Sequence, residues 1–584
     1  MALGAGKTPT MSLDELERGM KGYGLTVFEG NEIERFEVEI TGILRNIGPG
    51  RNIILAMVDS EVTDKSGVIA GMSGSPIYID GKLIGALAYS WMFSSAPIAG
   101  ITPIDEMIAI EDHAQTAGAR LSPWANSATV LSALASGDVA QLQTMFDQMV
   151  PQMETPWSGG SPIATPLNVS SFSGATLDRF SQVFRSGGFL PVPTGTTTSG
   201  AAKTSAEGLE PGDPLAAVLI EGDFSIAATG TVTAVDGDRV YGFGHPFLHM
   251  GDIDFPMAQS EIVTVMPSLA SSFKLSNTGN VIGSLSQDRY AGVYGKLGQS
   301  SDLIPVNFQI QSPAGDRTCS VRAVRQPQLF PVLLAMTADN VLTSAQQGSG
   351  EQSVFMDSVI RVSGRDPIRI REGWAGMTAR QGIPLYLAVV SGYLLSNEFQ
   401  NVEIEGIDVT LHHDTQPRMT RILGASIETP SDGAINPGDV VRLTAQLKPY
   451  RGEQRTETFE IEIPESTVPG PAYLFIGSGS ALTRLDFSLV PPDPRTLDQV
   501  VGVLERLEPS TDLSVRLYTP AAGLVSSGAY LPDLPPSMQA VTVSERSGTR
   551  DAMVQYHPAR QLVRSFDEVL TGAHRIDLKI EAAR

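Results

Sequence analysis

The chain has 584 residues, too many for one ordinary domain and enough for two to four. Its 41 Lys+Arg against 64 Asp+Glu leave a net charge of -23, which repels phosphate backbones and anionic lipid and argues against nucleic acid or membrane surfaces as partners. No run of about 18 apolar residues occurs, so no helical membrane span is expected. The single cysteine, Cys319, excludes an intrachain disulfide and any cysteine-based zinc site. With 58 Gly and 39 Pro, the composition favours turns and short strands over a helical bundle.

The segment Met1–Gly24 has no basic stretch followed by an apolar core, so the expectation is a cytoplasmic protein or a chain that begins after a removed signal. Ser12 and Glu15 form a capping-box pattern for a short helix stopped by Gly19 and Gly22. Strands follow at 36–40, which alternates as a half-buried strand should, and at 52–57. Residues 75–90 read as a hairpin around the turn Asp80-Gly81-Lys82.

Beyond Ile110 the pattern changes. Helical spacing spans 138–150, and a stretch at 151–213 rich in Gly, Ser, Thr and Pro, interrupted by one helix-like segment at 176–185, reads as an insertion or linker. Strands resume at 217–220 and 231–235. Apolar helices are expected at 329–344 and 384–396, with a strand at 402–407 between them and the alternating region that follows. Strict alternation from 436 to about 490 predicts a β-sandwich, and a further helix falls near 497–507. The expected division is therefore 1–110, 111–213, 214–320, 321–430, 431–495 and 496–584.

The segment Gly71-Met72-Ser73-Gly74-Ser75-Pro76 carries the most chemistry. A nucleophilic serine needs a tight turn that exposes its hydroxyl and converges backbone N–H groups on one point, and flanking glycines permit that backbone. The segment resembles the Gly-Asp-Ser-Gly-Gly-Pro turn of chymotrypsin-like peptidases, and the likeness runs on through Gly81-Lys82, Ser90-Trp91 and Gly100-Ile101-Thr102-Pro103. Of seven histidines, His245 stands on a Gly- and Pro-flanked loop, Gly242-Phe243-Gly244-His245-Pro246, directly after a strand. His249 is its rival. A metal pair of His245 and His249 with Asp252 or Asp254 is disfavoured because Pro246 opposes a helical arrangement, and no metal or other cofactor is expected.

Asp59 with Ser66–Ile77 resembles the serine region of the stage IV sporulation protein B peptidase family, and Gly230–Thr233 through Gly244-His245 resembles its histidine region. The resemblance implies a mainly β, chymotrypsin-like double β-barrel, followed here by α+β and β-sandwich modules. It further implies Ser73 as nucleophile, His245 as general base and Asp59 as the acid that orients the histidine, with Asp64 and Asp252 as alternatives. The family order His, Asp, Ser is here Asp, Ser, His, a cyclic rotation that a circular permutation would give. By the same likeness the N–H groups of Gly71 and Ser73 form the oxyanion hole, and Gly67, Gly100 and Ile101 belong to the substrate pocket. Met72 stands where an acidic residue precedes the serine of chymotrypsin-like enzymes, so control by a new N-terminal ammonium is absent and self-cleavage within 151–213 is the expected substitute.

The expectation is thus a serine endopeptidase acting on protein or peptide substrates through an acyl-enzyme, exported to the periplasm or beyond as the family is. No charge lies from Ser66 to Ser73, so cleavage after small or aliphatic residues is expected. The region from about 300 onward carries no recognisable chemistry and reads as a surface for a protein partner or a second copy. That leaves a non-catalytic envelope scaffold as the competing class.

Overall fold

A computed structural model describes residues 8–91, 94, 96–111, 128–150, 160–194, 208–268, 271–344, 350–428, 434–526, 529–532, 537 and 552–581. The chain divides into two compact units: residues 1–120, 150–305 and 320–333 form the first, and 121–149, 306–319 and 334–584 the second. Residues 112–127, 151–159 and 195–207 of the expected insertion lie outside the described residues. Among the described residues no helix is long and apolar enough to cross a membrane.

The first unit opens with the expected capping box, where Ser12 N and Oγ both donate to Glu15 Oε1 at 3.0 and 2.9 Å. Six strands then close on themselves: β1 (Lys21–Val27), β2 (Ile33–Gly48), β3 (Arg51–Asp59), β4 (Pro76–Ile79), β5 (Lys82–Ser90) and β6 (Ile98–Pro103). Their spatial order is β4-β1-β2-β3-β6-β5, and the β4–β5 pairing completes an antiparallel barrel. Alternation drives this arrangement. Phe36, Val38 and Ile40 of β2 turn inward to Ile54, Ala56 and Val58 of β3 and to Ile77 and Ile79 of β4, while the intervening Glu37 and Glu39 face water.

Residues 160–194 supply β7 (Ser161–Pro162), β8 (Thr165–Ser170), the helix Gly174–Ser186 and β9 (Phe189–Thr194). The part of the expected linker that is described is thus built into sheets, because its polar residues alternate with Ile163, Leu167 and Val169, all buried. A second set of six strands follows: β10 (Pro214–Gly222), β11 (Ser225–Asp236), β12 (Arg239–Gly242), β13 (Gly251–Met266), β14 (Phe273–Arg289) and β15 (Gly292–Leu297). Here the order β10-β13-β14-β15-β12-β11 is closed by the β10–β11 pairing. The unit is therefore a double β-barrel, as the chymotrypsin-like reading required, with the serine turn in the first barrel and His245 in the second.

In the second unit the expected helices appear at Val139–Met149, Ala379–Leu395 and Leu497–Glu505. The middle one begins five residues before Pro384, which sits inside it. Gly382 allows the Trp374 indole to lie against the helix where a Cβ would meet the ring at 2.5 Å, and this burial favours helix despite the proline. The sandwich pairs one sheet of Met419–Glu428, Val440–Pro449, Arg455–Glu462 and Val569–Thr571 with another built on Gly470–Ser478. Its shared core runs from Ile422 to Ile580, so it recruits strands on both sides of the expected 431–495.

Candidate active site

The serine turn connects the end of β3, through the short helix Thr63–Ser66, to β4. Gly71 and Gly74 hold φ of +97° and +95°, values that a side chain resists. Gly74 has a second reason to be glycine: a Cβ there would lie 2.0 Å from Thr231 O and 2.5 Å from Phe243 N. Within the turn Met72 N and Ser75 N donate to Ile69 O and Met72 O at 3.0 Å, and Gly74 N donates to Leu87 O at 2.8 Å. The N–H groups of Gly71 and Ser73 make no hydrogen bond to described residues. These are the two donors expected of an oxyanion hole.

Strand β11 of the second barrel clamps this turn. Thr231 N donates to Ser73 O at 2.8 Å, Thr231 Oγ1 to Gly71 O at 3.0 Å, and Thr233 Oγ1 to Gly74 O at 2.7 Å. Thr231 O in turn accepts from Phe243 N, at the start of the histidine loop. One residue of β11 therefore holds both the Ser73 turn and the start of the His245 loop at the seam between the barrels. Phe243 and Gly244 have φ of +66° and +67°. Gly244 packs so closely on β5 that a Cβ would meet Ala86 Cβ at 2.9 Å, and its carbonyl accepts from Thr102 Oγ1 at 2.6 Å.

Both side chains are covered, Ser73 at 0% and His245 at 1% exposure. Ser73 Oγ and His245 Nε2 are buried without a hydrogen-bond partner, as is Ser75 Oγ. His245 Nδ1 lies 2.8 Å from Pro246 O. A carbonyl only accepts, so Nδ1 carries the proton and Nε2 presents a lone pair, the tautomer a general base needs. Burial pushes the His245 pKa down to about 4, against the opposing influence of the Pro246 and Ile163 backbones. The ring is neutral at ordinary pH.

The expected acids lie elsewhere. Asp59 is at the exposed end of β3 opposite Glu37, Asp64 is in the first turn of Thr63–Ser66, and Asp252 pairs with Arg289 at 2.6 Å. None of them is the partner of Nδ1, which is occupied by Pro246 O. The carboxylate that serves the loop is Asp288 on β14. It is fully buried and accepts from Phe247 N, Leu248 N and Met250 N at 2.7, 2.8 and 3.0 Å. Burial raises its pKa, and those three N–H groups oppose the rise. Asp288 fixes the backbone immediately after His245; nothing in its sequence context marks it, because barrel closure alone brings it there.

The remaining expected residues are placed as follows. His249, the rival base, is exposed, its ring 6.2 Å from Tyr290. Gly67 has φ +66° with open space around it, Gly100 lies beneath Tyr89 and Trp91, and Ile101 is in the first barrel's core. Met72 is wholly buried in that core as well. Sequence reasoning missed Lys274, 1% exposed, whose stem lies 3.2–3.3 Å from where a Gly71 Cβ would be and whose Nζ donates to Thr26 Oγ1 at 2.6 Å. Burial pushes its pKa down to about 7, against the pull of Glu34.

Residues 8–108 match the family described as SpoIVB peptidase S55. The match takes in the whole of the first barrel and places a serine-peptidase signature on the barrel that carries Ser73. It stops before the second, so the SpoIVB-type match does not itself include His245. No curated protein and no solved structure matches the chain.

Proposed function

We propose that the double barrel is a serine endopeptidase of the SpoIVB type in which Ser73 is the nucleophile and His245 the general base. The observation that supports this reading is the shared clamp on Thr231, which bonds both the glycine-flanked Ser73 turn and the start of the His245 loop. His245 Nε2 takes the Ser73 proton as Oγ adds to a substrate carbonyl, and the N–H groups of Gly71 and Ser73 receive the oxyanion. The proton then passes to the leaving amine, and water hydrolyses the acyl ester. Pro246 O and the Asp288-braced loop orient the ring in place of the expected Asp59. The cyclic rotation of Ser and His relative to the sporulation peptidases is part of the same reading, as is action outside the cytoplasm; recovery of the protein in the cytoplasmic fraction alone would refute the latter.

A scaffold without catalysis is favoured by one observation, the nearly complete cover over Ser73 and His245. A serine-directed fluorophosphonate separates the two. The peptidase reading expects covalent labelling that Ser73→Ala abolishes, with turnover falling by up to about six orders of magnitude. Labelling that survives in Ser73→Ala but vanishes in Ser75→Ala would move the nucleophile to Ser75. No labelling at all, with the cover loosened, would leave the scaffold.

A further inference from the structure

The cover itself has the form of a bound peptide. Strand β7 is two residues long and lies antiparallel on the free edge of β5, Tyr89 opposite Pro162 and Ser90 opposite Ser161. Ile163 continues the ladder, its N–H donating to Ala88 O at 2.9 Å. The neighbouring residue, Leu87, is the one whose carbonyl and N–H hold the serine turn through Gly74 and Ser75. The Ile163 side chain is 2% exposed and shares an apolar cluster with Met72, Leu87, Ala99 and Ile101.

On the other side of Ile163 the chain leaves the first barrel and joins the second. Thr165 N donates to Gly188 O, and β8 then pairs with β11 from Leu167 opposite Ala228 to Ser170 opposite Ser225. The crossing falls at Ile163-Ala164. It spans the seam where β11 clamps the serine turn, and the Ile163 backbone acts on the His245 ring. An extended substrate adds to a sheet edge in this way, with main-chain bonds giving affinity and one buried side chain giving selectivity.

We propose that Ser161-Pro162-Ile163 occupies the substrate groove as a ligand supplied by the chain itself, with Ile163 in the position whose carbonyl the serine attacks. This rests on the peptidase reading above and adds its regulation and substrate class: the site is latent towards other peptides and reads an aliphatic residue preceded by proline. A free peptide bound there reacts at that aliphatic carbonyl. Ser73 Oγ adds to the carbon, His245 passes the hydroxyl proton to the departing amine, and water releases the acid. The tethered Ile163 is a poor substrate for a physical reason. Were its bond opened, the Ala164 amine would stay beside the ester through the β8–β11 ladder, where its effective concentration favours re-formation.

The test is run in Ser73→Ala protein, where binding needs no chemistry, with a fluorescent acetyl-Gly-Ser-Pro-Ile-amide peptide as probe. Adding Ile163→Ala is expected to tighten probe binding about ten-fold or more, because a larger fraction of molecules has the groove open. Equal affinity with and without Ile163→Ala, or no binding to either, overturns the proposal. Should Ile163→Ala fail to fold, the unaltered groove still decides: saturating probe is expected to speed hydrogen exchange at the Ile163 amide about ten-fold, and unchanged exchange counts against it. Failure of the peptidase reading looks different. Probe binding that displaces Ile163, in a protein that fluorophosphonate never labels, would sink catalysis and leave the pseudosubstrate standing. Labelling of Ser73 that Ile163→Ala leaves unaccelerated would do the reverse.

Discussion

The serine turn and the histidine loop are both short, glycine-bearing and buried, yet they are held in opposite ways. The N–H groups of the turn find partners in its own neighbourhood, in Ile69, Met72 and the adjoining β4–β5 hairpin, while its carbonyls at Gly71, Ser73 and Gly74 are held by β11. The loop depends on distant chain. Asp288, on a strand reached only after the barrel has nearly closed, accepts from three of its N–H groups, and Thr102 of the other barrel donates its hydroxyl to Gly244 O. The internal bonding of the Ser73 turn can thus be specified by residues 69–87, whereas the His245 loop needs the assembled fold.

The harshest way to break the comparison is at the point where the two segments meet. Gly74→Ala forces a Cβ to 2.0 Å from Thr231 O at a φ of +95°, and should cost about 3–5 kcal/mol in denaturant unfolding of the first unit. Next is pH. With the folded pKa of His245 near 4 and an ordinary value of 6.5, the unfolded chain binds the proton through that window and the folded unit does not. Stability therefore rises with pH from about 4 to 6.5, by about 3 kcal/mol from this group, and His245→Gln should remove that part of the slope. Urea midpoints across that range provide the measurement.

Asp288→Asn probes the remote anchor. An amide offers one acceptor oxygen and turns its NH2 towards N–H groups of the loop, so a loss of about 2 kcal/mol is expected. Fluorophosphonate labelling should slow in parallel, because the His245 backbone is no longer fixed. Equal labelling with lowered stability would confine Asp288 to a structural role. The smallest effect belongs to Asp59→Asn, which should change stability by no more than about 0.5 kcal/mol and leave labelling intact. A large loss there would restore Asp59 as the orienting acid and require the loop to rearrange on substrate binding.

What could be read from the sequence follows from how local each constraint is. Alternation set β2, β3 and the β4–β5 hairpin, since a one-residue slip would turn Phe36, Val38 and Ile40 to water. The Gly71–Pro76 turn was legible for the same reason: its glycines are demanded by the turn's own φ values. His245 was singled out by its Gly-His-Pro loop. The acid was not, because Asp59, Asp64 and Asp252 are near in sequence or motif while Asp288 is near only through barrel pairing of β13 with β14. The stretch 151–213 read as a linker because Ser161-Pro162 has no strand signal of its own, and its extended conformation is imposed by the open edge of β5.

The sequence by itself determined several of the double barrel's strands and the glycine-flanked Ser73 turn, and singled out the His245 loop, since periodicity and backbone permission are properties of neighbouring residues. Only the tertiary structure decided that Thr231 joins turn to loop, that Asp288 braces the loop after His245, and that Ile163 pairs with β5. Apart from the Thr231–Phe243 bond, each of those contacts joins residues 38 or more positions apart along the chain. Such contacts exist because closing a barrel creates edges and burial that no segment possesses alone.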